Sequence, residues 1–130
     1  MKLSVPRGNV AGMIGKLHAI AFDCPDPKAL ADFYSELLGL PVTYVDDDWV
    51  SIGEHAPKIG FQLAPDHVAP RWPDPAFPQQ AHLDVEVERA DLEDAERRVL
   101  ALGATRLPGD GENWRVYADP VGHPFCLVWH

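Results

Sequence analysis

The chain has 130 residues, 46% of them hydrophobic, which is enough for one cooperative core and too little for two domains of ordinary size. Its formal net charge of -9 argues against a nucleic-acid-binding surface, because neutralising a phosphate backbone requires clustered Lys and Arg. The apolar runs fall far short of the ~20 residues of a membrane span, and residues 1–16 lack the apolar segment of a secretory signal. We therefore expect a cytoplasmic protein with neither nucleic-acid nor membrane partners.

The predicted elements begin after an N-terminal arm at residues 1–15. A strand at residues 18–22 is followed by a helix, for which Asp26 is the expected N-cap. Apolar residues recur at helical spacing from Leu30 to Leu37, and Gly39 has the position of a helix stop. Three short β-like runs then follow, at residues 42–45, 49–52 and 59–63.

The second half repeats this order after a proline-rich linker at residues 65–80, which cannot form regular helix or a central strand. A strand at residues 82–87 precedes a helix that is expected to start at Asp91 and end at Gly103. Strand-like runs come next, at residues 104–107, 114–117 and 124–129. His18 and His82, like Gly39 and Gly103, are 64 residues apart. The pattern predicts a duplicated βαβββ unit within one domain, with module one at 16–64, the linker at 65–80 and module two at 81–130.

Several short motifs resemble the vicinal-oxygen-chelate superfamily, to which glyoxalase I and the bleomycin-resistance proteins belong. They are the histidine that opens a strand, the Phe33-Tyr34 pair, the Leu37-Leu38-Gly39 helix end and a C-terminal Asp119-to-Leu127 run similar to DPxGNxxEL. Residues 70–73 and 82–84 resemble its glyoxalase-like domain group. The resemblance implies an α+β fold, in which two tandem βαβββ modules form a curled eight-stranded sheet around a cup with the helices outside. It also implies a homodimer and a small-molecule ligand.

In metal-dependent members of this superfamily, each module supplies one ligand from its first strand and one from its last. Carried over, these positions are His18, Gln62, His82 and Cys126. Such a set would suit Zn²⁺ or another divalent transition metal. Two alternatives stay open: Cys126 stands where the family usually has Glu and would by default be a small buried hydrophobe, and a one-residue shift would give the His18 position to Ala19.

Aromatic side chains are the other candidate site residues, because flat apolar faces suit an aromatic or conjugated ligand. Trp49, Phe61, Trp114 and Phe125 are expected to line the cup together with Asp84, and Trp72 and Trp129 are further candidates; the alternative is that these rings form the core. The resemblance implies metal-assisted lyase, isomerase or dioxygenase chemistry on a small oxygenated metabolite. Replacement of the family Glu argues against true glyoxalase I activity. The alternative is a metal-free protein that binds a small molecule or antibiotic, and the sequence leaves open whether the chain is an enzyme.

Overall fold

The computed structural model describes residues 14–130, so most of the predicted N-terminal arm lies outside the described residues. Each predicted helix and strand is present, with bounds shifted by one or two residues. Module one contains β1 (Ala19–Cys24), α1 (Pro27–Leu38), β2 (Val42–Val45), β3 (Trp49–Ile52) and β4 (Lys58–Leu63). Module two contains β5 (Leu83–Glu86), α2 (Leu92–Ala101), β6 (Thr105–Arg106), β7 (Trp114–Ala118) and β8 (Pro124–Val128). Neither helix is long and apolar enough to cross a membrane.

Each module forms its own four-stranded sheet, and the two strand orders match: β1-β4-β3-β2 and β5-β8-β7-β6. The first and last strands of each module pair in parallel, and the remaining pairs are antiparallel. The equal topology confirms the predicted duplication. The expected single eight-stranded sheet is not formed by residues 14–130, because β1 and β5 each lie at the edge of a separate sheet.

The first helix has the predicted N-cap and the predicted C-terminal stop. The Asp26 carboxylate accepts a hydrogen bond from the Ala29 N–H at 3.2 Å, and Gly39 closes the helix at a φ of 67°. Asp91 makes no comparable bond, because a 3₁₀ turn over Arg89–Asp91 runs directly into α2. The two helices therefore start by different local structures, although both begin after an aspartate.

The two modules share a core on the side of the sheets that carries the helices, where side chains of α1 reach module two. The rings of Phe33 and Tyr34 lie 5.9 and 6.5 Å from the ring of Phe125 in module two. The Tyr34 hydroxyl donates a 2.6 Å hydrogen bond to the buried Asp119 carboxylate, which also accepts backbone N–H groups. Burial nevertheless raises the pKa of Asp119. Because one core joins the modules on this side, the opposite face of each sheet is left open.

Candidate functional site

The open face of module two collects three potential ligands from two neighbouring parallel strands. Asp84 of β5 lies directly opposite Cys126 of β8, and His82, two residues before Asp84, shares its face of the strand. The His82 Nε2 atom lies 3.2 Å from Asp84 Oδ1. One donor atom from each of the three side chains lies within 4.8 Å of the other two.

The donor chemistry of this cluster fits a borderline transition metal. An imidazole nitrogen, a carboxylate oxygen and a thiolate sulfur are all common zinc ligands, and three protein ligands leave one tetrahedral position for another molecule. Burial, with a further contribution from the Asp84 carboxylate, raises the pKa of Cys126 to about 11. A cation in contact with the sulfur would reverse that preference and favour the thiolate. The cluster therefore suits a metal better than it suits a free nucleophilic thiol.

A cavity of about 390 Å³ opens over the three ligands, and indole rings form much of its wall. Its lining consists of Trp72, His82, Asp84, Gly109, Trp114, Val116, Cys126 and Val128. The Trp114 ring lies across Gly111 so closely that a Cβ at that position would overlap it. The site thus combines a polar floor with a largely apolar wall, as small-molecule sites commonly do.

Module one has a related open face with different chemistry. A cavity of about 410 Å³ is lined by His18, Ala19, Tyr44, Asp46, Trp49, Ser51 and Lys58. The Trp49 ring lies over Gly60 of the neighbouring strand β4, whereas Trp114 lies over Gly111 of the turn before its own strand. The Tyr44 hydroxyl donates to the Asp46 carboxylate at 2.8 Å, and this bond lowers the pKa of Asp46. Module one therefore has an open face with a tryptophan but no cluster of metal ligands among the described residues.

A family model described as a glyoxalase-like domain matches residues 19–128. The chain belongs to the glyoxalase-like domain family. No functionally curated protein sequence matches it. A glyoxalase/bleomycin resistance protein/dioxygenase family enzyme from Burkholderia phytofirmans superposes with a TM-score of 0.70 at 15% identity, covering 88% of this chain and 98% of that one.

Two further solved structures share the fold at low identity. A glyoxalase-related enzyme from Fulvimarina pelagi has a TM-score of 0.66 at 21% identity and covers 90% of this chain and 89% of its own. The fosfomycin resistance protein FosX from Listeria monocytogenes has a TM-score of 0.68 at 15% identity, with coverage of 91% and 95%. At these identities, the similarity shows the fold of the glyoxalase-like domain and leaves its chemistry to be argued from the site.

The structure divides the four predicted metal ligands between the two modules. His82 and Cys126 come together and gain Asp84, whereas His18 and Gln62 lie on the sheet of module one. His18 directly precedes β1 and lines the cavity of module one beside Ala19. Gln62 is exposed near the end of β4.

The strand register explains why the spacing of 64 residues does not carry over to Gln62 and Cys126. Trp49 pairs with Gln62 on β4, but Trp114 pairs with Val128 on β8. Two positions after Trp114, Val116 of β7 pairs with Cys126. Two positions after Trp49, Ser51 of β3 pairs with Gly60. The last strands of this glyoxalase-like domain are therefore offset by 66 residues, while its helix ends are offset by 64.

The predicted ligand-binding residues lie on two different faces of their strands. Trp114 and Asp84 line the cavity of module two, and Trp49 lines that of module one. Phe61 and Phe125 line neither cavity: both are fully buried and stack on Tyr34 and Tyr117, with centroids 5.5 and 5.4 Å apart. They are the strand neighbours of Gln62 and Cys126 and so point to the opposite, helix-covered face.

Among the other tryptophans, Trp72 of the linker reaches the cavity of module two, whereas Trp129 is buried in the core. Asp84 was predicted as a ligand-binding residue, and its place beside His82 and Cys126 makes it a candidate metal ligand as well. The period-two alternation of β5 was the sequence signal for this, because it puts His82 and Asp84 on one face.

A larger concavity, of about 540 Å³, lies between the linker and β1. His67 and His123 face each other across its wall with ring centroids 4.9 Å apart, and His123 Nε2 lies 2.7 Å from the carbonyl oxygen of Asp23. Within residues 14–130, however, only His82, Asp84 and Cys126 bring three potential metal ligands together. Module two is therefore the better candidate for a chemically active site.

Proposed function

We propose that this glyoxalase-like domain binds a divalent transition metal, with Zn²⁺ as the best match, through His82, Asp84 and Cys126. The proposal rests on one observation: three side chains of suitable chemistry converge at the floor of an open cavity. Two neighbouring parallel strands supply two of them at directly opposed positions, so the backbone already holds these two ligands in place.

The function that this site supports best is metal-assisted chemistry on a small oxygenated molecule, of the lyase, isomerase or dioxygenase type. A metal bound there would act as a Lewis acid that polarises a substrate oxygen. The side chains of Trp72 and Trp114 would position the molecule and exclude water. Cys126 occupies the position of the glutamate in DPxGNxxEL, so this strand offers no carboxylate to move a proton, and glyoxalase I chemistry is disfavoured.

A second candidate function is metal-free binding of a small molecule or an antibiotic. The raised pKa of Cys126 favours it, because the thiol then stays protonated beside Asp84 in a cavity with a largely apolar wall. One structural neighbour is a fosfomycin resistance protein. In this candidate function the ligand occupies the same cavity, and the polar side chains at its floor fix the orientation of the ligand by hydrogen bonds.

The arrangement of the modules favours a homodimer as the functional form. The open faces of the two modules both lie opposite the shared core, and in residues 14–130 β1 and β5 each pair with only one other strand. Unpaired edges and exposed apolar side chains are the usual sites of chain association. We propose that a second copy associates along these edges and lies against the open faces that hold the two cavities.

The deciding experiment is metal analysis of tag-free protein, purified and then reconstituted with Zn²⁺ or Co²⁺. We expect about one metal per chain in the wild type and in His55→Ala, which changes an exposed histidine outside the site. His82→Ala and Cys126→Ser should lose the metal, and Cys126→Ser should also lose the sulfur-to-cobalt charge-transfer band of the Co²⁺ form. Protein that stays metal-free after reconstitution would rule out the metal site and leave metal-free binding.

A further inference from the structure

Two indole rings at the cavity of module two are held by consecutive backbone carbonyls. The Trp114 Nε1–H donates to the Gly109 carbonyl oxygen at 2.9 Å, and the Trp72 Nε1–H donates to that of Pro108. Trp72 comes from the linker and Trp114 from β7, so two distant segments of the chain converge on one turn. Both rings line the cavity above the potential metal ligands.

The turn at residues 108–111 is built to accept these rings. Gly109 has a φ of 109°, and a Cβ there would meet the Trp72 ring at 3.4 Å, while Gly111 lies under the Trp114 ring. The Asp110 carboxylate accepts the Val116 N–H at 3.0 Å and pairs with Arg106, which fixes the turn against β7. The indole rings are therefore preorganised, and a ligand would not have to order them on binding.

Burial of apolar surface does not by itself explain why these indole rings are held in place. Trp114 remains 43% exposed even though its Nε1–H is bonded and its ring packs on Gly111. Large aromatic side chains held at the rim of a cavity by their polar atoms are typical of binding sites, where the free ring surface contacts a ligand. The cavity of about 390 Å³ falls within the ordinary range for small-molecule sites.

We propose that Trp72 and Trp114 form an aromatic pair that selects planar aromatic ligands for this cavity. The inference deepens the proposed function, because it gives the oxygenated molecule at His82, Asp84 and Cys126 a substrate class: an aromatic ring that carries the oxygen atoms. The ring would contact the indoles while its oxygen atoms point to the floor of the cavity. Selection by ring contact is separable from metal binding, because neither indole supplies a metal ligand.

Two hydroxamic acids test the inference, because they share one chelating group and differ in the ring. Benzohydroxamic acid is planar and aromatic, whereas cyclohexanecarbohydroxamic acid is saturated. Calorimetric titration of the Zn²⁺-reconstituted wild type should give about tenfold tighter binding of the aromatic compound, as expected from a stacking energy near the upper end of the usual range. The same pair is titrated into protein treated with EDTA.

Substitutions in the aromatic pair should remove the preference and leave the metal in place. Trp72→Leu and Trp114→Leu keep apolar bulk without a flat ring, and each should bind the two compounds about equally at unchanged zinc content. Leu100→Ala, which changes an exposed apolar residue of α2 that does not line this cavity, should retain the preference. Thermal unfolding of each variant identifies any loss of fold.

The outcomes separate the two proposals. A preference for the aromatic compound in both zinc-loaded and EDTA-treated protein, lost in the leucine variants, supports the aromatic pair even if purified protein holds no metal. Equal binding of both compounds to the wild type, or a preference that survives Trp72→Leu and Trp114→Leu, overturns it. Failure of both compounds to bind either form also overturns it.

Discussion

The thiol of Cys126 is the side chain whose chemistry depends most on its neighbours. Burial and the Asp84 carboxylate raise its pKa to about 11, so in metal-free protein the thiol stays largely protonated at pH 8. Its alkylation by iodoacetamide should accelerate about tenfold per pH unit between pH 7 and 10. Asp84→Asn removes a negative charge that disfavours the thiolate, so the pKa should fall and the rate at pH 8 should rise severalfold.

Peptide-level mass spectrometry of EDTA-treated protein measures this rate. Cys24 is an internal control, because burial also raises its pKa to about 11 but Asp84 is not among the neighbouring charges that affect it. Asp84→Asn should therefore leave alkylation of Cys24 unchanged. An alkylation rate of Cys126 that levels off near pH 8, or that Asp84→Asn leaves unchanged, would contradict the effect of Asp84 on the thiol.

The buried hydrogen bond between Tyr34 and Asp119 leads to a second prediction at the same scale. Tyr34→Phe should destabilise the protein by about 1–3 kcal/mol, because a buried acceptor loses its donor. The Tyr34 hydroxyl lowers the pKa of Asp119 against the larger effect of burial, which leaves that pKa above its usual value. Without the hydroxyl, the folded-state pKa rises further. The loss of stability should consequently be larger at pH 7 than at pH 4, because protonation of the folded carboxyl at low pH lessens the difference between wild type and variant, while the unfolded chain titrates alike in both.

Urea unfolding at the two pH values measures this difference, and Tyr44→Phe is the matched control. Tyr44 donates to Asp46 at 2.8 Å in the same kind of bond, but it lies on the surface at 52% exposure. Its loss should have little effect on the free energy of unfolding at either pH. Equal effects of the two substitutions would show that burial does not distinguish the two bonds.

At the scale of elements, the two helices begin differently after the same residue type. Asp26→Ala should cost about 1 kcal/mol, because the carboxylate satisfies the Ala29 N–H at the N-terminus of α1. Asp91→Ala should cost much less, because Asp91 makes no side-chain cap bond. Thermal or urea unfolding of the two variants provides the comparison, and an equal loss of stability in both would contradict the difference in caps.

The elements themselves were largely predictable, because their signals are local. Asp26 and Gly39 predict the two ends of helix α1, and the spacing of the apolar residues between them predicts its buried side. The strands follow from short apolar runs between turn residues. What failed was the assumption that one spacing holds throughout the duplication: the register of β4 and β8 depends on loop lengths and pairing partners, which lie far apart in the sequence.

At the scale of the whole molecule, the pairing of modules was the least predictable feature. Motifs of the kind at Phe33-Tyr34 identify the family, but they do not say which residues of module two these rings contact. The contacts of Phe33 and Tyr34 with Phe125 show that side chains of α1 pack against module two. Half of the predicted site came together through the pairing of β5 with β8 inside module two, while His18 and Gln62 lie in module one.

The exposed apolar residues along the edge of module one predict self-association. Ile20 of β1 and Phe77 of the linker remain 40% and 39% exposed, and both line the large concavity beside the free edge of the sheet. Light scattering after gel filtration should give twice the chain mass of 14.4 kDa. Ile20→Glu should shift the protein toward monomer, whereas Glu54→Lys, an exposed charge change away from this edge, should not. A wild-type monomer at tens of micromolar would contradict the prediction.

Mixing two defective variants tests whether a second copy completes the site. If the open face of module one from one chain covers that of module two from another, Trp49→Ala damages a site through one chain and His82→Ala damages it through the other. A mixed dimer then contains one site with both defects and one with neither. Co-refolding the two variants should restore benzohydroxamate binding that neither variant shows alone, up to one site per mixed dimer. If each chain instead builds its site from its own module two, the Trp49→Ala chains bind benzohydroxamate by themselves and mixing adds nothing. The Trp49→Ala variant alone is equally informative, because Trp49 lines only the cavity of module one within a single chain: weakened binding already requires that this face reaches the floor formed by His82, Asp84 and Cys126.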